Sequence, residues 1–233
     1  MRDAGIAPGD HVVDIGAGTG VITSALADAG AVVTALEADP ALALVLRRRF
    51  DGRPVTVVRT DAERWAWPTE AFSVVSNLPF AGSGAILRRL LHDPGCGLVG
   101  AHVIVQWEFA EKHAAVWPTT LRAAYWRAWF DLGITARLDR TAFSPAPRVA
   151  AALLRITRRA RPLVAVDAHD AYWRFLERAF ATHAPLGKAL RGRVTPRELR
   201  RLAPLLAFDA SAFPRDVDAR QWALLFAFAA DRG

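Results

Sequence analysis

The sequence holds one cysteine, Cys96, and one methionine in 233 residues. A lone thiol forms no internal disulfide and builds no cysteine-based metal centre. A reducing compartment, the cytoplasm, is the expected setting. Lysine is almost absent: Lys112 and Lys188 stand among 30 basic residues, and the rest are arginine. No apolar run approaches the roughly 18 residues needed to cross a bilayer, so no membrane partner is expected. The opening Met1-Arg2-Asp3-Ala4-Gly5 leads into no apolar signal-peptide core. The six histidines are scattered, and no Ser-His-Asp order stands out. Glu108, Glu111 and His113 share one short helical stretch without the spacing of a metal motif. No metal is expected, and no internal repeat is evident.

What the chain has is apolar content and arginine. A hydrophobic share of 52% is ample for one large domain, or one domain plus a small appendage. The net charge of +7 is unevenly placed. Residues 1–154 hold 15 basic and 15 acidic side chains; residues 155–233 hold 15 and 8. The whole surplus therefore lies in the last third, which points to a polyanionic partner. Coding bias in a chain rich in Ala, Gly and Pro accounts for arginine over lysine, but not for this placement. Arginine suits bidentate phosphate contacts.

The organising stretch is Val12-Val13-Asp14-Ile15-Gly16-Ala17-Gly18-Thr19-Gly20. Its start reads as a strand buried on both faces. Its glycines allow a sharp turn and close approach of a ligand to the backbone. Apolar residues from Val21 onward recur every three or four positions, so a helix follows. The spacing G-x-G-x-G is not the dinucleotide pattern G-x-G-x-x-G. Asp14, two places before the first glycine, would repel a pyrophosphate. It would attract a cationic ligand such as S-adenosylmethionine. Glu37, at the end of the next apolar run, is placed to take both hydroxyls of a ribose. A plain tight turn with a solvated acid, and a dinucleotide site, stay open at this point.

The rest alternates. Helices are expected over 19–29, 40–50, 82–92 and 107–116. Strands are expected over 31–36, 55–59, 72–76 and 98–105. Strands over 132–139 and 148–156, joined by Ser144-Pro145-Ala146-Pro147, would close the sheet as an antiparallel pair. After Arg158-Arg159-Ala160-Arg161-Pro162 the pattern is helical, over 168–183, 195–202 and 217–230. The expected class is α/β: a doubly wound, mostly parallel sheet over residues 1–157, with a small C-terminal α-helical module over 158–233. Ligands of such sheets bind beyond the carboxyl ends of the strands, where Asp14, Glu37, Asp61 and Asn77 all fall. Trp117, Trp126 and Trp129 read as core or interface packing, with base stacking as the alternative.

Asn77-Leu78-Pro79-Phe80 follows the fourth strand. An exocyclic adenine amine is a poor nucleophile because its lone pair is delocalised into the ring. The Asn77 side-chain oxygen and the Leu78 carbonyl could both accept hydrogen bonds from that amine and favour a tetrahedral nitrogen. Pro79 holds the preceding residue extended, and Phe80 offers a face for the base. Positioning and charge placement would carry most of the rate.

These elements together resemble the rRNA adenine N6-dimethyltransferase family. Its branches are the erythromycin-resistance methylases of 23S rRNA and the dimethyladenosine transferases of 16S rRNA. The resemblance rests on Asp14 to Gly20, Leu36-Glu37-Ala38-Asp39, Asp61, Asn77-Leu78-Pro79-Phe80, Gln106-Trp107-Glu108 and Phe143-Ser144-Pro145-Ala146-Pro147-Arg148-Val149. It implies a Rossmann-like class I methyltransferase sheet using S-adenosyl-L-methionine. It implies that Gly16 and Gly18 approach the methionine part, Glu37 the ribose, Asp61 the adenine amino group and Asn77 the target amine. Phe80 and Phe143 would sandwich the flipped base. The basic tail, with Arg191, Arg193, Arg197 and Arg200, would bind rRNA, and a monomer is expected. Phenylalanine at position 80 favours the 23S branch, since tyrosine is commoner there in the 16S branch. Two departures stand out. No Q-N-F-L-type element precedes the glycine strand, so the expectation is either a naturally short chain or a cofactor site more open than usual. Ala150 also stands where an acid usually follows the valine. The rivals are a DNA adenine methyltransferase, which needs no F-x-P-x-P-x-V hairpin, and a nucleic-acid-binding factor that has lost activity.

Overall fold

The computed structural model describes residues 4–115, 120–142 and 149–231. They form two compact units: Met1–Ala110 with Leu132–Arg158, and Glu111–Asp131 with Arg159–Gly233.

The first unit is built on a sheet. Its strands are β1 (His11–Ile15), β2 (Val32–Glu37), β3 (Val55–Arg59), β4 (Phe72–Asn77), β5 (Leu98–Gln106), β6 (Phe130–Leu138) and β7 (Ala151–Arg158). Their order is β3-β2-β1-β4-β5-β7-β6. Helices α1 (Val21–Asp28), α2 (Pro40–Arg49) and α3 (Ser83–His92) make the crossovers, and α4 (Trp107–Ala114) follows β5. β1 pairs in parallel with β2 and β4, β2 with β3, and β4 with β5; β7 runs antiparallel to β5. The expected doubly wound sheet is therefore present. β1 reads as a continuous apolar run because both its faces are covered: Val12 and Val13 are fully buried and Ile15 is nearly so.

The chain works outward from β1 to β3 and then returns to lay β4 on β1's other side. The direction in which the chain steps across the sheet reverses between the parallel strands β1 and β4, which opens a crevice at their carboxyl ends. Two local devices aim the crossovers. Asp39 caps α2, its carboxylate accepting from the N–H groups of Ala41 at 2.7 Å and Leu42 at 2.9 Å, with Pro40 in the first turn. Gly20 starts α1 with φ of +82°, and a Cβ there would meet the Leu46 side chain at 2.7 Å and the Phe50 ring at 2.8 Å. The third glycine of the turn thus seats α1 close against α2. At the far end of β7, the Arg158 guanidinium donates to the carbonyls of Pro94, Cys96 and Leu98, clamping the turn that leads into β5.

The second unit is helical: α5 (Leu121–Trp126), α6 (His169–Ala181), α7 (Leu186–Ala189), α8 (Pro196–Leu205) and α9 (Ala219–Ala230). Its core is aromatic. The Tyr125 ring lies 4.9 Å from Trp129 and 6.2 Å from Tyr172, and Tyr172 lies 5.2 Å from Phe226. Trp126 and Trp129 are buried, so packing rather than base stacking is their role; Trp117 lies outside the described residues. Reciprocal caps begin two helices, Thr195 with Glu198 on α8 and Asp218 with Gln221 on α9. The sequence reading left 111–131 with the sheet and did not anticipate α5 or α7. Tyr125 and Trp129 find their partners on α6, more than forty residues away, and no local pattern encodes that pairing. β6 begins at Phe130 and β7 at Ala151, against the expected 132 and 148. Phe143 to Arg148 lie outside the described residues.

Candidate cofactor and catalytic site

A cavity of about 530 Å³ opens at the carboxyl ends of β1, β2 and β4. Gly16, Glu37, Asp61, Asn77, Leu78, Pro79 and Phe80 all line it. Residues that are 16 to 80 along the chain are brought together by the switch between β1 and β4.

Glu37 ends β2 and is 8% exposed. Its Oε2 accepts from the Gly18 N–H at 2.8 Å, and its Oε1 from the Asp39 N–H at 2.9 Å. One carboxylate therefore pins the glycine turn to the start of α2 and still presents lone pairs to the cavity. Gly18 meets the site through this bond and is not itself part of the cavity wall. Gly16 is in the wall, with φ of +69°.

Asp14, expected to attract a cationic cofactor, is a buried side chain. It is 1% exposed, and its Oδ2 accepts from the Thr23 hydroxyl at 2.7 Å. It sits behind the glycine turn and is not among the residues lining the cavity. Burial pushes its carboxyl up from 3.8 to about 6, against the hydrogen bonds from the Thr23 hydroxyl and backbone N–H that pull it down. The neighbouring Glu37 charge pushes the same way as burial. Ser76 was not singled out from the sequence. Its hydroxyl donates to the Ile15 carbonyl at 2.5 Å and accepts from the Ile15 N–H at 3.2 Å. The register between β1 and β4 covers Val12 with Ser73 and Val13 with Val74. Beyond it, Ser76 bridges the two strands where the crevice opens. A serine directly after the apolar pair Val74-Val75 was the signal for it.

Asp61 is exposed at the end of β3, and its Oδ1 accepts from the Glu63 N–H at 2.9 Å. Its other oxygen has no partner among the described residues. Asn77 is the last residue of β4, and its side-chain amide also has none. Leu78 is buried at 1% exposure, and its N–H donates to the Ile104 carbonyl at 3.2 Å. That anchor fixes the backbone of the loop, whose Pro79 carbonyl then accepts from the Gly82 N–H at 3.0 Å and leads into α3. The Leu78 carbonyl has no protein partner among the described residues. Two acceptors thus stand together at the cavity, held by β5 and unspent on the protein itself. Phe80 borders them.

The sequence matches the family described as Ribosomal RNA adenine dimethylase over residues 1–200. The chain belongs to this family. It is 37% identical over 218 residues to the mycinamicin-resistance protein MyrB of Micromonospora griseorubida, covering 92% of this chain and 68% of that one. It is 30% identical over 225 residues to an rRNA adenine N-6-methyltransferase of Bacillus licheniformis, covering 96% and 78%. The crystal structure of the 23S rRNA methyltransferase ErmE superposes with a TM-score of 0.85 at 27% identity, over 98% of this chain and 94% of that one. A dimethyladenosine transferase from Plasmodium falciparum shares the fold, with a TM-score of 0.76 at 16% identity over 99% and 93%.

The family's cofactor is S-adenosylmethionine, and the cavity fits it. The volume is that of a small-molecule site. The Glu37 carboxylate is a bidentate acceptor for a diol, and the unpartnered Asp61 oxygen is an acceptor for an amino group. A buried carboxylate at Asp14 sets a negative field at the glycine turn, suited to a cation. Among the described residues no cluster of His, Cys, Asp and Glu could hold a metal. No described helix is long and apolar enough to cross a membrane.

Of the expected RNA-binding arginines, all four are exposed in the second unit. Arg191 and Arg193 line a separate cavity there; Arg197 and Arg200 lie on α8 outside it. Phe143 lies outside the described residues.

Proposed function

We propose that the chain methylates the exocyclic N6 of an adenine in 23S rRNA, a modification of the kind that gives macrolide-type resistance. Two unspent acceptors, the Asn77 amide oxygen and the Leu78 carbonyl, carry this reading. Adenine N6 has two N–H donors, and a pair of fixed acceptors takes both. Accepting a hydrogen bond from each N–H draws the nitrogen toward tetrahedral geometry and frees its lone pair. Since both acceptors are anchored through β4 and β5, they need no rearrangement as charge develops on the nitrogen. Phe80 supports the adenine ring from one side.

S-adenosylmethionine supplies an electrophilic methyl on a sulfonium. Glu37 holds the ribose hydroxyls, Asp61 takes the adenine amino group, and Gly16 and Gly18 leave room for the methionine portion. Asp14 acts through its field from behind the turn. Ser76 keeps the two halves of the crevice in register. The 23S preference draws support from the name of ErmE and from phenylalanine at position 80, and the resistance reading from the name of MyrB. The exposed arginines of the second unit contribute to RNA affinity. A single copy acting in the cytoplasm completes the reading.

Methyl transfer from labelled cofactor onto naked 23S rRNA, naked 16S rRNA and intact subunits tests it. Incorporation at one 23S adenine supports the proposal. Incorporation confined to 16S rRNA would place the chain in the other branch.

A further inference from the structure

A second cavity of about 610 Å³ lies wholly within the helical unit. Two of its walls come from α6 and α9, and a third from the turn between α7 and α8. Arg174 and Arg178 enter it from α6, one helical turn apart. Arg191 and Arg193 enter from the turn, flanking Gly192, whose φ of +82° bends the backbone between them. All four are exposed, and none has a hydrogen bond or ion pair from its side chain among the described residues. No acidic side chain lines the cavity. The wall opposite is apolar: Phe226 is half-buried, and its ring is held edge-on to Tyr172 at 5.2 Å and tilted against Phe175 at 5.6 Å.

Four guanidinium groups within one small concavity repel one another unless an anion joins them. An ordinary solvated surface would spread them out or pair them with Asp and Glu. A plain phosphate site, in turn, would need no fixed aromatic wall. The combination of four arginines lining one cavity with a ring packed against two others suits a ligand with an anionic end and a flat end.

We infer that this cavity seats one nucleotide of a single-stranded RNA segment, its phosphates on the arginines and its base against Phe226. The assignment rests on the proposal that the substrate is RNA. It adds a contact within the helical unit that is not needed for the chemistry in the methyl-transfer cavity. Arg191 and Arg193 then differ from Arg197 and Arg200 in kind. The first pair belongs to a shaped pocket, and the second pair supplies only surface charge.

The test compares a short oligouridylate with the same chain made abasic, by fluorescence anisotropy across a salt series. Arg174→Gln with Arg178→Gln, and Arg197→Gln with Arg200→Gln, remove equal charge from exposed positions. Each pair should lower the salt slope by roughly 0.7 per lost phosphate contact. Wild type should bind the oligouridylate about tenfold more tightly than the abasic chain, the scale of one base stacked on an aromatic ring. Phe226→Ala should abolish that preference. Phe226→Leu, which keeps a large apolar side chain against Tyr172 and Phe175, should reduce it and guards against a folding failure. The Arg174 and Arg178 pair should weaken it, while the Arg197 and Arg200 pair should leave it intact.

Equal affinity of wild type for both oligomers overturns the assignment. So does a preference that survives in Phe226→Leu and Phe226→Ala. Uridine monophosphate that binds as tightly as the oligomer would show a free-nucleotide site instead. A wild type that binds oligouridylate without base preference yet methylates rRNA refutes the pocket alone. A wild type that neither binds nor methylates RNA refutes the substrate reading itself.

Discussion

Replacing Asp14 with Asn should make the protein more stable and less able to hold its cofactor. Asp14 is 1% exposed and carries a single strong side-chain bond, from Thr23 at 2.7 Å. Burial raises its carboxyl from 3.8 to about 6. A carboxyl whose folded value lies above its unfolded value favours the folded state most below the unfolded value. That contribution is lost as pH rises through the folded value. The window here runs from about pH 4 to about pH 6. A shift of about two units corresponds to roughly 3 kcal/mol lost across it. Asparagine keeps an acceptor for Thr23 but carries no charge, so it escapes this loss. The stability advantage of Asp14→Asn should therefore grow by about 1–2 kcal/mol between pH 5 and pH 8. In melting temperature that is several degrees for a chain of this size. Urea unfolding of both proteins at the two pH values measures the difference directly, and any fixed packing offset of the amide cancels. Calorimetry at pH 8 should show weaker binding of S-adenosylmethionine to the variant, because the negative field behind the turn is gone. A stability difference that does not change with pH would refute the burial argument. Unchanged cofactor affinity would refute the field.

Glu37→Ala should weaken S-adenosylmethionine binding by about 1–3 kcal/mol, the range for hydrogen bonds to a charged group. It should also loosen the turn at Gly18, read as faster amide exchange at that position. Gly20→Ala should destabilise the first unit by roughly 1–3 kcal/mol, since its φ is positive and its Cβ would press on Leu46 and Phe50. Gly18→Ala, whose added Cβ meets little, should cost less in urea unfolding. If the two glycine variants unfold alike, the packing role given to Gly20 is wrong.

The sheet was legible because its strands read as apolar runs: Val12 to Ile15, buried on both faces, Val32 to Leu36, buried from Val33 onward except for Thr34, and the partly exposed edge strand Val55 to Val58. The crevice was legible too, because Glu37 and Asn77 end strands and are flagged by polarity after an apolar stretch. Roles set by direction rather than position were not. Asp14 stands in the same strand end as the glycine turn, yet its side chain turns back to Thr23, and sequence spacing carries no such information. Ser76 mattered only once β4 was known to lie beside β1. In the helical unit, Arg191 and Arg193 were visible as charges. Their place in one cavity with Arg174 and Arg178 depends on how α6 and α7 pack, and residues 111–131 joined that unit through Tyr125 and Trp129.

The central claim is that the Asn77 oxygen and the Leu78 carbonyl hold an adenine amine for methylation. The most direct test is nucleoside mass spectrometry of rRNA treated with wild type and with Asn77→Ala, with cofactor affinity measured on both proteins. Wild type should produce N6-methylated adenosine, and the variant should bind S-adenosylmethionine nearly as well while methyl transfer falls by orders of magnitude. Methylation that survives in the variant within a few-fold, or a methyl group found elsewhere than adenine N6, would contradict it.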